Sequence, residues 1–180
     1  GIEFNNVDTR EFNSVKNIDM EQITLADTDI RLLDALQHDA SLSNQDLAAL
    51  AHVSPPTCLR RVKRLRDAGL IERQIALLSP DRLSHITGHG LTALVEITLD
   101  HQGTDHQEAF EARVVADAAV QQCYRVSPGP DFVLVVHVAD MPQYLALAQR
   151  LFTSNANVRN VKAFFSTKRA KFEPKVLLAQ

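Results

Sequence analysis

The fold of the N-terminal half is decided by the stretch VSPPTCLRRVKRL, residues 53–65. Ser54 is a residue type that caps helices, and its hydroxyl could accept from a free N–H of the first turn. Pro55 and Pro56 follow at first-turn positions, where a missing N–H costs little. Apolar residues then recur at helical spacing. Gly69 is typical of the position just past a helix end. The stretch therefore predicts a short helix between Ser54 and Gly69.

Two more short helices are predicted immediately upstream. Apolar residues recur at helical spacing over residues 27–39. Ser43 and Asp46 then form a start similar to a capping box, with an aspartate where glutamate is usual. Only His52 and Val53 separate this second helix from the third. Three short helices joined by so tight a turn predict a helix-turn-helix.

The basic residues of the chain are concentrated around the third helix. The whole chain has a formal net charge of −3, which taken alone would argue against a nucleic acid as partner. Between Ser54 and Arg73, however, six basic residues face two acidic ones, a local charge of +4. A DNA-binding protein needs a basic footprint on one face rather than a basic average. The charge distribution therefore permits double-stranded DNA as a partner.

A helical projection of the third helix assigns its residues to two sides. With Val62 at the centre of the buried face, Leu59 lies beside it and Arg60 and Arg64 point away from the core. These two arginines could form paired hydrogen bonds to guanine. Arg61 and Lys63 are better placed for phosphates. An ordinary solvated basic helix remains the alternative. The predicted DNA contacts are Ser54, Thr57, Arg60, Arg61, Lys63 and Arg64.

The second half alternates between strand and helix patterns. Strict alternation of apolar residues over 91–99 predicts a half-buried strand, and Leu70–Leu78 is also β-prone. The complete order is β-α-β-β-α-β, that of a ferredoxin-like sandwich, so the fold class is α+β. The other predicted elements are a helix over 105–119, strands over 120–127 and 132–138, a helix capped by Asp140, and a strand over 158–165 that could extend to 178.

One face of this sheet would be covered by the two helices, and the other also carries apolar side chains. An apolar face of this kind needs a cover, and a second copy of the domain would supply it. We therefore expect a homodimer at least. The residues of this second face are Leu94, Tyr124, Val133, Val135 and Phe164.

Residues 53–65 resemble the recognition helix of the leucine-responsive regulatory protein and AsnC (Lrp/AsnC) family, which typically runs LSPxxCxxRVxRLexxGxI. The likeness continues through residues 69–80, 95–97 and 138–144, in order. The resemblance implies a winged helix-turn-helix joined by a β-linker to an AsnC-type (RAM) ligand-binding domain. It also implies control of amino-acid metabolism genes. Members form dimers and commonly octamers or other rings of dimers, and many bind an amino acid between neighbouring sensor domains.

One loop departs from the family pattern, which reads Gly-Asp-Tyr/Phe-Asp between the second and third sensor strands. Here the sequence is Pro128-Gly129-Pro130-Asp131, so only Asp131 matches in register. Each proline removes an N–H that could bind a ligand carboxylate. Either the pocket suits another effector or the response is lost. The predicted effector contacts are Ser127, Gly129, Asp131, Phe132, Met141 and Thr167. The alternative is that Asp131 merely caps the turn and that Phe132 and Met141 belong to the core.

The predicted organisation has four segments. Residues 1–19 are interpreted as an expression leader, because Glu-Phe occurs twice as a cloning site would encode it, and a natural disordered tail is the alternative. The helix-turn-helix covers residues 20–70, the β-linker 71–83 and the sensor domain 84–180. Two widely separated cysteines and the lack of a long apolar run indicate a reducing cytoplasm and no membrane partner.

Other functions are less well supported. His85 with His89, and His101 with His106, lack partners that would complete a metal site, so no metal or cofactor is expected beyond an amino-acid effector. His85 to His89 is predicted to be a loop. Sirohaem decarboxylases share this two-part layout, but an enzyme would not need the outward arginines. An architectural DNA-binding protein of low specificity is the third alternative.

Overall fold

The computed structural model describes residues 24–178, so the predicted leader lies outside the described residues. The chain divides into two compact units. One contains the chain up to Gln74 together with the segment from Pro174 onward, and the other contains Ile75–Glu173. This division differs from the predicted boundaries at 70 and 84, and the C-terminal segment was predicted to belong to the sensor domain.

The first unit contains the three predicted helices. They are α1 (Asp27–His38), α2 (Asn44–Leu50) and α3 (Pro55–Asp67). Ser43 caps α2, as predicted, by accepting from the N–H of Asp46 at 3.2 Å. His52 turns the chain between α2 and α3 with a φ of 56°, a conformation that few residues other than glycine adopt.

The predicted cap of α3 is wrong in its detail. The Ser54 hydroxyl accepts from no backbone N–H of the first turn and instead donates to the Thr57 side-chain hydroxyl at 2.9 Å. The two prolines remove the first two N–H groups of the helix, so there is less for a cap to bind. A side chain of α2 contributes to this end, because Asn44 Nδ2 donates to the carbonyl of Pro55 at 2.9 Å.

The core of the first unit is formed by one face of each helix. Leucines of α1 pack against α2 and α3, and Cys58 and Leu65 supply the buried face of α3. Leu59 does not belong to this face, because 63% of it is exposed, and its predicted burial is wrong. The fully or almost fully buried apolar residues are Leu32, Leu33, Leu47, Ala48, Ala51, Cys58 and Leu65.

The C-terminal segment completes this unit by lying against α1. Lys175 Nζ lies 2.8 Å from the Asp34 carboxylate. The backbone N–H of Val176 donates to the Gln37 side chain at 2.6 Å, and the Gln37 amide donates back to the carbonyl of Val176 at 3.2 Å. Leu178 packs against the core. The prediction that the last strand could extend to Leu178 is therefore wrong, since these backbone groups are bound to α1.

Residues 71–78 form no strand, contrary to the predicted β-linker. A strand requires a neighbour that binds its N–H and C=O groups, and this stretch has none among residues 24–178. A helix follows instead: α4 (Pro80–Thr87) is capped by Ser79 and ends at Gly88, which has a φ of 81°. His85 therefore lies on a helix rather than in the predicted loop.

The second unit has the predicted ferredoxin-like fold. Its strands are β1 (Leu91–Leu99), β2 (Val120–Arg125), β3 (Phe132–Val138) and β4 (Val158–Phe165), in the order β2-β3-β1-β4 and all antiparallel. The helices are α5 (Thr104–Val115) and α6 (Met141–Ala148), and α6 continues into a π-helical turn, Gln149–Thr153. Asp140 caps α6 as predicted. The predicted ends of α5 at 119 and of β2 at 127 were too late.

The two faces of the sheet differ as the alternation predicts. Every second residue of β1 and β3 is buried beneath the helices, and Phe110, Phe132 and Phe152 are the largest side chains of this core. On the other face Leu94, Tyr124 and Phe164 are each about half exposed. The second unit therefore has one packed face and one open apolar face. In the part of the chain that the structure describes, no helix is long and apolar enough to span a membrane.

Candidate nucleic-acid interface and sensor site

The outward face of α3 is defined by the residues opposite its buried side. Cys58 and Leu65 are fully buried, so they rather than Val62 mark the centre of the packed face. At about 100° per residue, this change rotates the assignment by roughly 50°. Arg60 and Lys63 then lie on the side opposite the core, and Arg64 moves from that side to a flank.

The flank that contains Arg64 is occupied by an acid from another helix. Asp29 lies in the first turn of α1 and is fully buried. One of its carboxylate oxygens accepts from Arg61 Nη1 at 3.0 Å, and the other accepts from Arg64 Nη2 at 2.7 Å. The N–H of Ala26 donates to the same carboxylate at 3.0 Å. Two of the four predicted arginine and lysine contacts are therefore bound to the same buried carboxylate.

These contacts determine the protonation state of Asp29. Burial raises the pKa of its carboxyl, but the hydrogen bonds from Ala26 and Arg61 and the charges of both arginines outweigh burial, so the pKa lies below its ordinary value. Asp29 is thus a buried carboxylate held charged between two guanidinium groups. Sequence reasoning missed it, although a signal was present: Asp29 precedes Leu32, Leu33 and Leu36 at helical spacing and so falls on the apolar face of α1.

The remaining predicted DNA contacts are accessible. Arg60 is exposed and no hydrogen bond or ion pair joins it to another described residue. Lys63 Nζ lies 2.5 Å from the Asp67 carboxylate, and both side chains are mostly exposed. Ser54 is exposed and Thr57 half-buried at the start of the helix, and their hydroxyls bond each other. Arg60 is therefore the arginine of α3 with the greatest freedom to reach a ligand.

Cys58 is a packing residue of α3. It is fully buried, and burial raises the pKa of its thiol. A thiol with a raised pKa is a poor nucleophile near neutral pH.

The predicted effector residues fall into two groups at opposite ends of the sheet. Ser127, Gly129, Asp131 and Phe132 lie at the start of β3, next to the end of β1, because Phe132 pairs with Ile97. Met141 follows the other end of β3. β3 has seven residues, and at about 3.3 Å per residue its ends lie roughly 20 Å apart.

Thr167 belongs with Met141. The neighbouring Ser166 donates its N–H to the carbonyl of Thr92, near the start of β1. Within one chain, therefore, Met141 and Thr167 do not share a site with the loop before β3.

The side chains of the loop group have structural partners. The Asp131 carboxylate accepts from the N–H of Leu99 at 2.7 Å, and its backbone bonds both Ile97 and Val126. Phe132 is fully buried, with its ring centre 4.9 Å from that of Phe110. Phe132 thus lies in the core, which was the alternative to a direct effector role for this residue. The Asp131 carboxylate binds the end of β1, a role that differs from the predicted cap of its own turn.

The exposed part of the loop group is small. Ser127 and Gly129 are both accessible, and Gly129 has a φ of 125°, which an L side chain rarely adopts. On the other end of the sheet, Met141 and Thr167 are also exposed. The accessible members of the predicted set are therefore split evenly between the two ends.

The histidines do not form a metal site in the described part of the chain. The rings of His101 and His106 approach with centres 5.4 Å apart, but no group of three His, Cys, Asp or Glu residues among residues 24–178 could hold a metal ion.

The three-helix unit with its basic third helix, together with an α+β sensor-type domain, defines a helix-turn-helix DNA-binding protein with a ligand-binding domain. Residues 25–72 match the winged helix-turn-helix DNA-binding domain, and residues 92–176 match the Lrp/AsnC ligand binding domain. The chain belongs to the Lrp/AsnC family of transcriptional regulators.

Named relatives agree with this assignment. The leucine-responsive regulatory protein of Haemophilus influenzae is 40% identical over 119 residues, covering 66% of this chain and 69% of the relative. The DNA-binding transcriptional activator DecR of Escherichia coli K12 is 33% identical over 144 residues, covering 80% and 92%. Both names describe regulatory proteins.

A solved structure gives the same fold. A transcriptional regulator from Neisseria meningitidis, determined as a complex with L-Met, superposes with a TM-score of 0.74 at 29% identity, covering 86% of this chain and 97% of that one. The predicted family and fold class are confirmed.

Proposed function

We propose that the chain is a sequence-specific transcriptional regulator that reads double-stranded DNA with the outward face of α3. The observation that carries the proposal is Arg60, an exposed arginine without an internal partner, on the side of α3 opposite Cys58 and Leu65. An exposed arginine in the N-terminal half of a recognition helix can bind guanine in the major groove. Phosphate contacts would be supplied by Ser54, Thr57 and Lys63, together with the accessible guanidinium edge of Arg64.

The test of this proposal is enrichment of duplexes from a random pool by the full-length chain, followed by affinity measurements at matched salt. A specific regulator should bind an enriched duplex at least about a thousandfold more tightly than a shuffled one. Equal affinity for both duplexes would instead support the architectural alternative. Affinity measurements on a variant with Arg60 replaced then test whether this residue reads the sequence.

We also propose that the regulator responds to an amino acid or a related small molecule and so controls genes of amino-acid metabolism. Its relative from Neisseria meningitidis was solved with L-Met. The two groups of predicted effector residues lie at opposite ends of the sheet, so a pocket that uses both must combine two chains. We therefore place the effector between subunits, with the loop at Gly129 from one and Met141 and Thr167 from another.

The composition of the loop before β3 limits which of its groups can bind a ligand. Pro128 and Pro130 cannot donate, which leaves Ser127 and the Gly129 N–H as the accessible polar groups before Asp131. Calorimetry with each of the twenty amino acids tests sensing directly. Heat with one of them, lost in Gly129→Pro, supports the site; no heat with any of them removes amino-acid sensing and leaves a different effector class.

The open apolar face of the sheet supports a homodimer. Leu94, Tyr124 and Phe164 are about half exposed there, and Glu96 lies opposite Lys162 across the β1–β4 pair. A second exposed apolar run, Ile75 to Leu78, has unbound backbone groups that a partner strand could pair. We propose that dimers form through these surfaces and associate further into an octamer or another ring of dimers.

Sedimentation of two matched variants tests the dimer. Leu94→Arg places a charge on the open face and should give a monomer at micromolar concentration. Leu145→Arg makes the same change at a leucine of α6 that is 61% exposed, away from the open face, and should leave the dimer intact. A dimer that persists in Leu94→Arg would contradict the proposed interface.

A further inference from the structure

The buried carboxylate of Asp29 joins α1 to two arginines of the helix that carries the proposed DNA contacts. Asp29 contacts no solvent, while the side chains of Arg61 and Arg64 retain 29% and 53% of their exposure. The carboxylate thus lies on the inner edge of both guanidinium groups and leaves an outer edge of Arg64 accessible. Buried charges are normally paired, and here one anion is paired with two cations.

The pairing restricts what each arginine can reach. Arg64 uses Nη2 at 2.7 Å from Asp29, and Arg61 uses Nη1 at 3.0 Å. Arg61 Nε is in addition buried without a hydrogen-bond partner, which costs free energy. Two-pronged recognition of guanine needs a guanidinium that can align two N–H groups with the base edge. Arg60 can turn its whole guanidinium toward a base, whereas Arg61 and Arg64 each commit one nitrogen to Asp29.

We propose that Asp29 is a positioning residue that determines which arginine of α3 reads DNA sequence. It holds Arg61 and Arg64 on the flank, where the accessible edge of Arg64 can contact phosphate only, and so leaves base recognition to Arg60. The proposal deepens the proposed function, since it rests on α3 as the DNA-reading helix. It replaces the expectation that Arg64 reads bases alongside Arg60.

The first experiment compares Asp29→Asn with the wild-type chain on shuffled duplex DNA across a salt series. The asparagine keeps the size of the side chain and removes its charge, so both guanidinium groups become free to bind phosphates. Each added phosphate contact steepens the slope of log affinity against log salt by about 0.9. Because Arg64 already has an edge that contacts phosphate in the wild-type chain, the added contact is that of Arg61, and we expect a slope steeper by about 0.9. The triple variant Asp29→Asn, Arg61→Gln, Arg64→Gln should lose this gain.

A role in stability alone would give a different result. Asp29→Asn would then weaken binding to every duplex in parallel, with an unchanged salt slope, and this outcome overturns the proposal. Asp34→Asn is the matched control, because it breaks an ion pair of the same helix with Lys175 rather than with α3. It should leave the slope unchanged. Because this arm uses shuffled DNA, it gives a result even if no duplex is enriched and sequence-specific binding fails.

The second experiment does not depend on the folding of Asp29→Asn. Arg60→Gln and Arg64→Gln are compared on an enriched duplex and its shuffled counterpart. Arg60→Gln should lower the ratio of the two affinities by about tenfold or more, whereas Arg64→Gln should lower both affinities equally. If Arg64→Gln lowers the ratio as much as Arg60→Gln, Arg64 reads bases in spite of Asp29 and the proposal is wrong.

Discussion

Arg64 Nη2 lies 2.7 Å from the Asp29 carboxylate, although the two residues are 35 positions apart in sequence. The contact joins the first turn of α1 to the second half of α3 and gives the arginine a partner inside the protein. It also separates Arg64 from Arg60, although a helical projection centred on Val62 places both arginines on the same side of α3. The basic residues of α3 therefore differ in their freedom to reach DNA, and their replacement is expected to have different effects on binding.

Arg60→Ala should weaken binding to an enriched duplex by about 1–3 kcal/mol and relax the preference at one base position. The reason is that Arg60 is exposed and has no partner among the residues that the structure describes, so its removal costs the DNA contact and little stability. Competition assays with single-base variants of the duplex measure both effects. An unchanged affinity would show that the recognition face of α3 is assigned wrongly.

Lys63→Ala should flatten the salt dependence of binding without changing the preferred sequence. Its ion pair with Asp67 is exposed, and such pairs contribute little, so a phosphate can replace the carboxylate. The slope of log affinity against log salt should fall by about 0.9. Asp67→Ala, which removes the competing acid, is the control and should not flatten it. A changed base preference in Lys63→Ala would contradict a phosphate role.

Acid should destabilise the helix-turn-helix unit through Asp29. Its pKa is lower in the folded protein than the value of about 3.9 expected when unfolded. A lowered folded pKa contributes stability above the unfolded value, and this contribution is lost as pH falls through the folded pKa. The protection of α1 amides, measured by hydrogen exchange and corrected for the intrinsic pH dependence of exchange, should therefore fall below about pH 4.

Asp29→Asn provides the reference for this titration. The variant has no carboxyl at the site, so the protection of its α1 amides should depend less on pH over the same range. Carbon NMR of the aspartate carboxyl groups reads the pKa of Asp29 directly. A value at or above the ordinary one would contradict the geometry of the two arginine contacts.

The C-terminal segment should stabilise the unit through Leu178. This leucine packs against the helical core, whereas its neighbour Leu177 is 91% exposed. Leu178→Ala should lower the free energy of opening at α1 by about 1 kcal/mol, and Leu177→Ala should not change it. Hydrogen exchange of α1 peptides measures both variants. Equal behaviour of the two would show that the segment does not dock in solution.

His52→Gly should stabilise the helix-turn-helix. His52 has a φ of 56°, which costs a residue with a Cβ roughly 1 kcal/mol. Glycine adopts this conformation freely, although its greater freedom when unfolded offsets part of the gain. The melting temperature should rise by a few degrees, whereas His52→Ala, which retains the Cβ, should not raise it. A lower melting temperature in His52→Gly would show that the histidine side chain is needed.

The sheet was predictable because its pattern is local. Alternating apolar residues mark β1 over residues 91–99, and the strand has those same bounds in the structure. Side chains of a strand alternate strictly between two faces, so the pattern itself fixes register and burial. No central residue has to be chosen, as it must be for a helical projection. The open apolar face around Leu94 follows from the same pattern. Helix ends were also read well where a capping side chain was present, as at Ser43 and Asp140.

The orientation of α3 was predicted less well, because a helical projection needs a centre that sequence gives only approximately. Leu59 and Val62 are as apolar as Cys58 and Leu65, so choosing Val62 as the centre rotated every arginine by roughly 50°. The partner of Arg61 and Arg64 lies on another helix, beyond the reach of local pattern. The indication that the sequence offered was the position of Asp29 on the apolar face of α1, where an acid needs a basic partner.

The return of the C-terminal segment to α1 changes what counts as the DNA-binding fragment. In covalent terms the sensor is an insertion, since the polypeptide enters it after Gln74 and leaves it before Pro174. A fragment cut at Gln74 would lack the C-terminal segment, which binds Asp34 and Gln37 of α1. Truncation studies of this regulator should therefore join residues 174–178 to the helix-turn-helix by a short linker.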